Sequence, residues 1–319
     1  MAAIQIEPEV LKGLAGKHRS CKRNWQNSGT VVLWWVLRTH DAKGSLYIVS
    51  ETRGVEYGAS VSIGDLNVQA GEALAAEFGN RGHFSKADIS SWASQRALFI
   101  STFEKFGSVD CVVANAAMPE KSDFLWEDKL DEDGELEEPN LTLIDVNIKG
   151  TLFTAKLALH YFGKNPKSGG AFVVTGSAAG YFGGMPIAKY ATSKHALLGL
   201  IRSLAILAPE RGFRANYIAP WLTATEFSSE LDELWGDRPI NSQKEVAEAI
   251  LMACADESLN GRGLFVAKQI VDIERPLHQL EPQWLGPKVS ELWEMGRAHI
   301  QRAYAGYSTH YLDLTAREI

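Results

Sequence analysis

Tyr190 and Lys194 stand four residues apart, with Ser177 thirteen residues before the tyrosine. Residues of these types at this spacing are suited to alcohol or carbonyl redox chemistry. A phenol, with an ordinary pKa of about 10, is a poor base near neutral pH, and an ammonium one helical turn away favours the phenolate. The i,i+4 spacing supplies that turn. A serine hydroxyl converging on the same point can hold a substrate oxygen while the tyrosine takes or gives its proton. Of the nine tyrosines only Tyr190 has lysine at +4. The pair alone is also what chance supplies, as a surface lysine beside a half-buried tyrosine.

The elements that must position these residues read from the pattern. From residue 59 onward short apolar strands alternate with amphipathic helices: strands at 59–64, 83–87, 109–114, 171–175 and 214–218, helices at 68–78, 92–106, 141–162 and 190–208. This alternation predicts a single α/β domain, a Rossmann-like doubly wound parallel sheet with helices on both faces. In such sheets ligands bind beyond the carboxyl ends of the strands. Asp65, Asp88, Asn115 and Ser177 each follow a strand there. Asp, Asn and Ser also favour turns, so one or two of the four are equally read as loop caps.

Size and composition set the class. A chain of 319 residues with 45% hydrophobic and 22% charged residues is a soluble globular protein with a sizeable core. The net charge of -7 argues against a nucleic acid partner. Residues 120–138 hold ten acids and two lysines, an acidic stretch read as a solvated loop, with a cation site as the alternative. Cys21, Cys111 and Cys254 form no metal or redox motif, so no metal is expected and a reduced, cytoplasmic compartment fits best. No secretory signal opens the chain. The apolar run from Val31 to Leu37 is too short to cross a bilayer, so no membrane partner is expected.

The motifs together resemble the short-chain dehydrogenase/reductase family over about residues 58–270. Val-Val-Ala-Asn115-Ala-Ala is similar to the family's strand end Asn-Asn-Ala-Gly, Asp-Val-Asn147-Ile-Lys-Gly resembles its central-helix asparagine, and Ser177, Tyr190 and Lys194 match its catalytic set. Within the family, the stretch Tyr190-Ala-Thr-Ser-Lys-His-Ala-Leu-Leu-Gly-Leu and the later Asp256-Glu-Ser-Leu-Asn-Gly resemble 15-hydroxyprostaglandin dehydrogenase and related fungal secondary-alcohol dehydrogenases.

The resemblance implies Tyr190 as the acid/base and a cofactor-binding residue, with Lys194 lowering its pKa and binding the nicotinamide ribose. It implies Ser177 as the support of the substrate oxygen and Asn147 as the holder of a water that links Lys194 to solvent. Asp65 would bind the adenosine ribose and favour NAD over NADP, Asp88 would contact the adenine, Asn115 would line the cofactor site and Thr225 would contact the nicotinamide amide. The plainer alternative for Asn147 is a polar residue on an exposed helix face. Tyr181, Phe182, Met185 and Met118 are read as lining an apolar pocket, and Trp221 to Trp235 as a lid or a core helix. The implied reaction moves a hydride between a nicotinamide cofactor and a secondary alcohol or ketone. A hydrophobic or aromatic small molecule suits the pocket, with a place in secondary metabolism, and a homo-oligomer is expected.

The chain also departs from the family. The glycine-rich loop that should come after the first strand is missing, although only glycine allows the close backbone approach a pyrophosphate needs. Gly44, Gly54 and Gly58 do not reproduce its spacing. Leu14-Ala-Gly-Lys17 resembles the usual lead-in, so residues 18–57 read as foreign sequence, as from a retained intron or shifted frame. Ala117 replaces a usual glycine, and Trp221 stands where the family prefers glycine. The chain is accordingly read as 1–57, an atypical N-terminal segment; 58–270, the Rossmann-like domain; and 271–319, a C-terminal extension. The competing reading is a family-fold protein that keeps the catalytic residues but binds dinucleotide too weakly to turn over.

Overall fold

Short apolar strands separated by amphipathic helices have one economical arrangement, a sheet with both faces covered. The computed structural model describes residues 31–35 (backbone alone), 55, 59–120, 125, 127–167, 169–183, 186–225, 236–296, 298, 299 and 302. Its sheet contains β1 (Val31–Trp35), β2 (Ser60–Asp65), β3 (Gly82–Lys86), β4 (Cys111–Ala114), β5 (Gly170–Thr175), β6 (Phe213–Pro220), β7 (Gly263–Val266) and β8 (Ile270–Asp272). The order is β3-β2-β1-β4-β5-β6-β7-β8, with every neighbouring pair parallel except β7 and β8. The chain steps outward from β1 to β3 and then outward the other way from β4, so the topological switch lies between β1 and β4.

The period of two along each strand builds two cores. Val112 and Ala114 of β4 and Phe172 and Val174 of β5 face one side; Cys111, Val113, Ala171 and Val173 face the other. The first side is covered by α2 (Trp92–Phe106), α3 (Thr151–Phe162) and α4 (Ala188–Leu207), the second by α1 (Val68–Glu77) and α5 (Gln243–Ala255). Burial on both faces explains why the central strands read as unbroken apolar runs.

Helix ends are set by local chemistry. Ser91 caps α2 through Ser94 N–H, and Gly107 ends it in the left-handed region at φ 78°. The buried residues Gln95, Leu98, Phe99 and Thr102 make one stripe along it. Gln95 donates to the Gly150 carbonyl at 2.8 Å and accepts from the Thr154 hydroxyl at 2.9 Å, which joins α2 to the base of α3. Before α3 come a single turn, Thr142–Ile144, and a π-helical turn, Asp145–Gly150. Ser242 and Glu245 form a capping box at the start of α5. At its other end the Arg214 guanidinium donates to the carbonyls of Ala253, Cys254 and Asp256 at 2.7–2.9 Å.

The structure differs from the sequence reading at one important place. The apolar run at Val31, rejected as a membrane span and included in the foreign stretch, supplies the central strand β1. Among the described residues no helix is long and apolar enough to cross a membrane. Residues 127–142 are exposed and held by their own turns: Leu130 bridges Leu136 antiparallel, and Asp131 Oδ1 accepts from the Asp133 and Glu135 amides at 3.0 Å.

The chain divides into two units, 1–272 and 273–319. The second contains α6 (Glu274–Leu285), on which His278 lies 3.5 Å from the Glu274 carboxylate, and Trp284, Leu292 and Trp293 are exposed in this unit.

Candidate active site

β5 ends at Thr175 and runs through Gly176 into Ser177, which is extended at φ -169° and ψ 160°. The Ser177 hydroxyl oxygen accepts from Ala179 N–H at 3.1 Å and is also hydrogen-bonded to the Tyr190 hydroxyl. Tyr190 and Lys194 lie one turn apart in α4, as the spacing predicts. Lys194 is buried, donates from Nζ to the Thr175 carbonyl at 3.1 Å and sits 5.3 Å from the centre of the Tyr190 ring. The structure therefore brings Ser177, Tyr190 and Lys194 together.

Their protonation differs from expectation. Burial, partly offset by the Ser177 hydrogen bond, pushes Tyr190 up to about 12. Burial pushes Lys194 down to about 7. Burial sets both directions, and the lowering of the phenol comes from Ser177 rather than from Lys194, whose Nζ bonds the neutral Thr175 carbonyl.

Asn147 lies on the π-helical turn and is fully buried, not on an exposed face. Its Oδ1 accepts from Met118 N–H at 2.8 Å, and its Nδ2 donates to the Met118 carbonyl at 3.2 Å and to Ser193 Oγ at 3.1 Å. Ser193 in turn donates to the Tyr190 carbonyl at 2.7 Å. The amide is therefore a brace between the segment after β4 and α4. Asn147→Leu is expected to destabilise the protein by about 1–3 kcal/mol, the penalty for stranding buried partners, as measured by urea denaturation.

The remaining expected residues lie at the carboxyl ends of the strands. Asp65 closes β2, is 1% exposed and accepts from Asn67 N–H at 2.7 Å. Asp88 comes after β3 and accepts from the Ser90 amide and hydroxyl at 2.8 and 2.7 Å, so one of its oxygens acts as a turn cap. Asn115 comes after β4 beside the topological switch and is buried. Thr225 lies beyond β6, and its hydroxyl contacts the Thr223 carbonyl at 3.4 Å. Met185 and residues 226–235 of the expected lid lie outside the described residues.

Two residues escape the sequence reading. Glu120 Oε2 accepts from Tyr190 N–H at 2.9 Å and so caps α4, which has no side-chain cap of its own at Ile187. Tyr217 of β6 reaches the main chain of both Ser177 and Lys194. Neither residue type in its local sequence carries a signal of this.

The donor set fits the nicotinamide half of a dinucleotide. Asn115 Nδ2 and Thr175 Oγ1 are buried without a hydrogen-bond partner, and they come directly after Ala114 and Val174, which are in register. Ribose hydroxyls match such orphaned polar atoms, and Lys194 Nζ bonds the main-chain carbonyl of Thr175. The segment after β1, where a pyrophosphate would be held, lies outside the described residues.

The family model described as short chain dehydrogenase matches residues 51–234. The chain belongs to this family. As a short-chain dehydrogenase it is a member of a family of oxidoreductases. A short-chain dehydrogenase/reductase, prx4, of Penicillium roqueforti is 32% identical over 239 residues, spanning 67% of this chain and 70% of that protein. The 5'-hydroxyaverantin dehydrogenase of Dothistroma septosporum is 25% identical over 265 residues, spanning 75% of this chain and 86% of that protein. The crystal structure of a 3-ketoacyl-(acyl-carrier-protein) reductase from Brucella melitensis, complexed with NADH, superposes with a TM-score of 0.63 and 22% identity, over 77% of this chain and 97% of that one. That likeness shows the fold of the short-chain dehydrogenases.

Proposed function

We propose that this short-chain dehydrogenase interconverts a secondary alcohol and a ketone with a nicotinamide cofactor, and that its substrate is a hydrophobic or aromatic small molecule of secondary metabolism. The observation that carries the reading is the convergence of Ser177, Tyr190 and Lys194 at the carboxyl ends of the strands. When bound, the nicotinamide supplies the site that accepts or gives the hydride. The chain's residues handle the proton. In the oxidising direction Tyr190 Oη takes the alcohol proton while the Ser177 hydroxyl holds the same oxygen; in reduction Tyr190 returns it. Lys194, with Asn115 and Thr175, would hold the ribose, and Thr225 the amide. Asn147 is proposed to support the proton's route from Lys194 to solvent by bracing the segment around it.

An aromatic surface supports the substrate class. Tyr181 tilts against Phe182 at 6.2 Å, Phe182 meets Phe265 edge-on at 5.7 Å, and Phe265 meets Trp221 edge-on at 6.2 Å. Phe182 and Trp221 are exposed, so they offer flat apolar area to a ring-bearing substrate. The name of the Dothistroma relative, a hydroxyaverantin dehydrogenase, is in keeping with an alcohol substrate.

For the cofactor we favour NAD. The buried carboxylate of Asp65 at the end of β2 would repel a 2′-phosphate, and Asp88 lies one strand further out, on the adenine side. Asp65→Ser is expected to raise the ratio of kcat/KM for NADP over NAD by about tenfold, measured with one alcohol and both cofactors.

A second reading rests on β1, which ends at Trp35 level with Gly64 and Ala114, with no glycine after it until Gly44. On that reading the fold is kept but the dinucleotide is held too weakly for turnover. Titration of the protein with NAD and with NADP, monitored by tryptophan fluorescence, separates the two. A saturable response with alcohol turnover is the expected result; no response to either cofactor would sink the enzyme reading.

A further inference from the structure

We propose that Tyr217 is a positioning residue whose hydroxyl ties the main chain of Ser177 to that of Lys194 and so sets both side chains around Tyr190. The inference rests on the proposed function, because it assigns Tyr217 to the same reaction.

The contacts are direct. Tyr217 Oη accepts from Ser177 N–H at 3.0 Å, and its single proton is shared between the Lys194 carbonyl at 3.1 Å and the Ser177 carbonyl at 3.2 Å. Tyr217 is fully buried, and burial raises its pKa far above the ordinary phenol range, so it remains a neutral donor. Its neighbours on the same face of β6, Ala215 and Ala219, are small. A large ring fits between them only because two glycines make room. A Cβ on Gly176 would lie 1.8 Å from Tyr217 Cζ, and one on Gly180 would lie 2.2 Å from Tyr217 Oη.

Filling space would need only phenylalanine; a buried hydroxyl is retained without penalty only where it is hydrogen-bonded. Here it is bonded to the main chain of two residues of the catalytic set. Ser177 also lowers the Tyr190 pKa through its own hydrogen bond, so any movement of Ser177 changes the ionisation of Tyr190.

Tyr217→Phe tests this. Circular dichroism and Tm establish folding. The expected results are amide hydrogen exchange at Ser177 faster by about tenfold, from loss of its acceptor, and kcat lower by about tenfold with KM within about threefold, because a small misplacement acts on the reacting geometry. The acid limb of the kcat/KM pH profile moves to higher pH, because the phenol loses stabilisation of its ionised form.

Gly180→Ala, whose methyl meets the same hydroxyl at 2.2 Å and the Lys194 carbonyl and Tyr217 Cζ at 3.0 Å, is expected to give the same changes in the native background and a smaller further loss in the Tyr217→Phe background, where the hydroxyl contact is gone. It supplies the decision on its own should Tyr217→Phe fail to fold. A folded Tyr217→Phe protein with unchanged kcat and pH profile, or additive effects of the two substitutions, overturns the proposal. A native protein without turnover on any alcohol defeats the proposed function instead, and unchanged Ser177 exchange in Tyr217→Phe then overturns the tie itself.

Discussion

Tyr190→Phe is expected to lower kcat by about a thousandfold, within the range general acid–base groups contribute, while cofactor affinity changes by no more than a few-fold. The substitution removes one oxygen from the centre of the site and leaves the helix intact. The Ser177 hydroxyl keeps its bond to Ala179 N–H, and the α4 cap from Glu120 is to the main chain of residue 190, so neither depends on the phenol. Thermal unfolding should therefore shift little. On the proposed mechanism the acid limb of the native pH profile reports ionisation of the phenol, which burial, partly offset by the Ser177 hydrogen bond, holds at about 12. The residual rate of the variant should lack that limb. Steady-state kinetics across pH, with the fluorescence titration as a binding control, decides the point, and native activity in the variant would remove Tyr190 from the mechanism.

Lys194→Met should separate activity from stability in opposite directions. On the proposed mechanism activity falls, because no amine remains beside Tyr190 or at the proposed ribose position. Stability rises because an ammonium has been taken out of the protein interior, where its bond to the Thr175 carbonyl does not restore the lost hydration. The folded-state pKa of about 7 lies below the unfolded value of about 10.4. Between those values the unfolded chain binds more protons, so native stability increases as pH rises from about 7 to about 10 and is lowest, and flat, below about 7. The variant lacks this dependence. Its gain is expected to be on the order of a few kcal/mol at pH 6 and to vanish near pH 10. Urea denaturation at the two pH values measures it; a loss of stability at pH 6 would show that the lysine's stem and hydrogen bond outweigh the buried charge.

A feature is legible in the sequence to the extent that it depends on neighbouring residues. Helix α2 is readable to the residue because its start, stop and stripe are local: Ser91, Gly107 and the spacing of Leu98, Phe99 and Thr102. The proposed catalytic set is readable because Ser177, Tyr190 and Lys194 belong to one strand end and one helix face. β1 escapes a sequence reading because Val-Val-Leu-Trp-Trp shows an apolar run without the glycines that would mark the start of a cofactor loop. Glu120 lies at the edge of an acidic run and reads as solvated until α4, seventy positions later, is folded against it. Tyr217 reads as part of a strand, but its reach to Ser177 and Lys194 depends on space left by Gly176 and Gly180 on other elements. The directions of the Tyr190 and Lys194 pKa changes depend on burial, which spacing does not encode.

The double hydrogen bond between Met118 and Asn147 makes the chain between them a closed excursion. Its two ends are fastened beside Tyr190, by Glu120 on one side and through Ser193 on the other, while the hairpin around Leu130 and Leu136 stands in solvent. Closing such a loop becomes harder only slowly with length, by about 0.6 kcal/mol for each doubling. The outer part of this excursion is thus a place where the chain is expected to tolerate changes of length or charge while the geometry at its base stays fixed, and where an inserted reporter peptide is expected to leave the proposed reaction undisturbed.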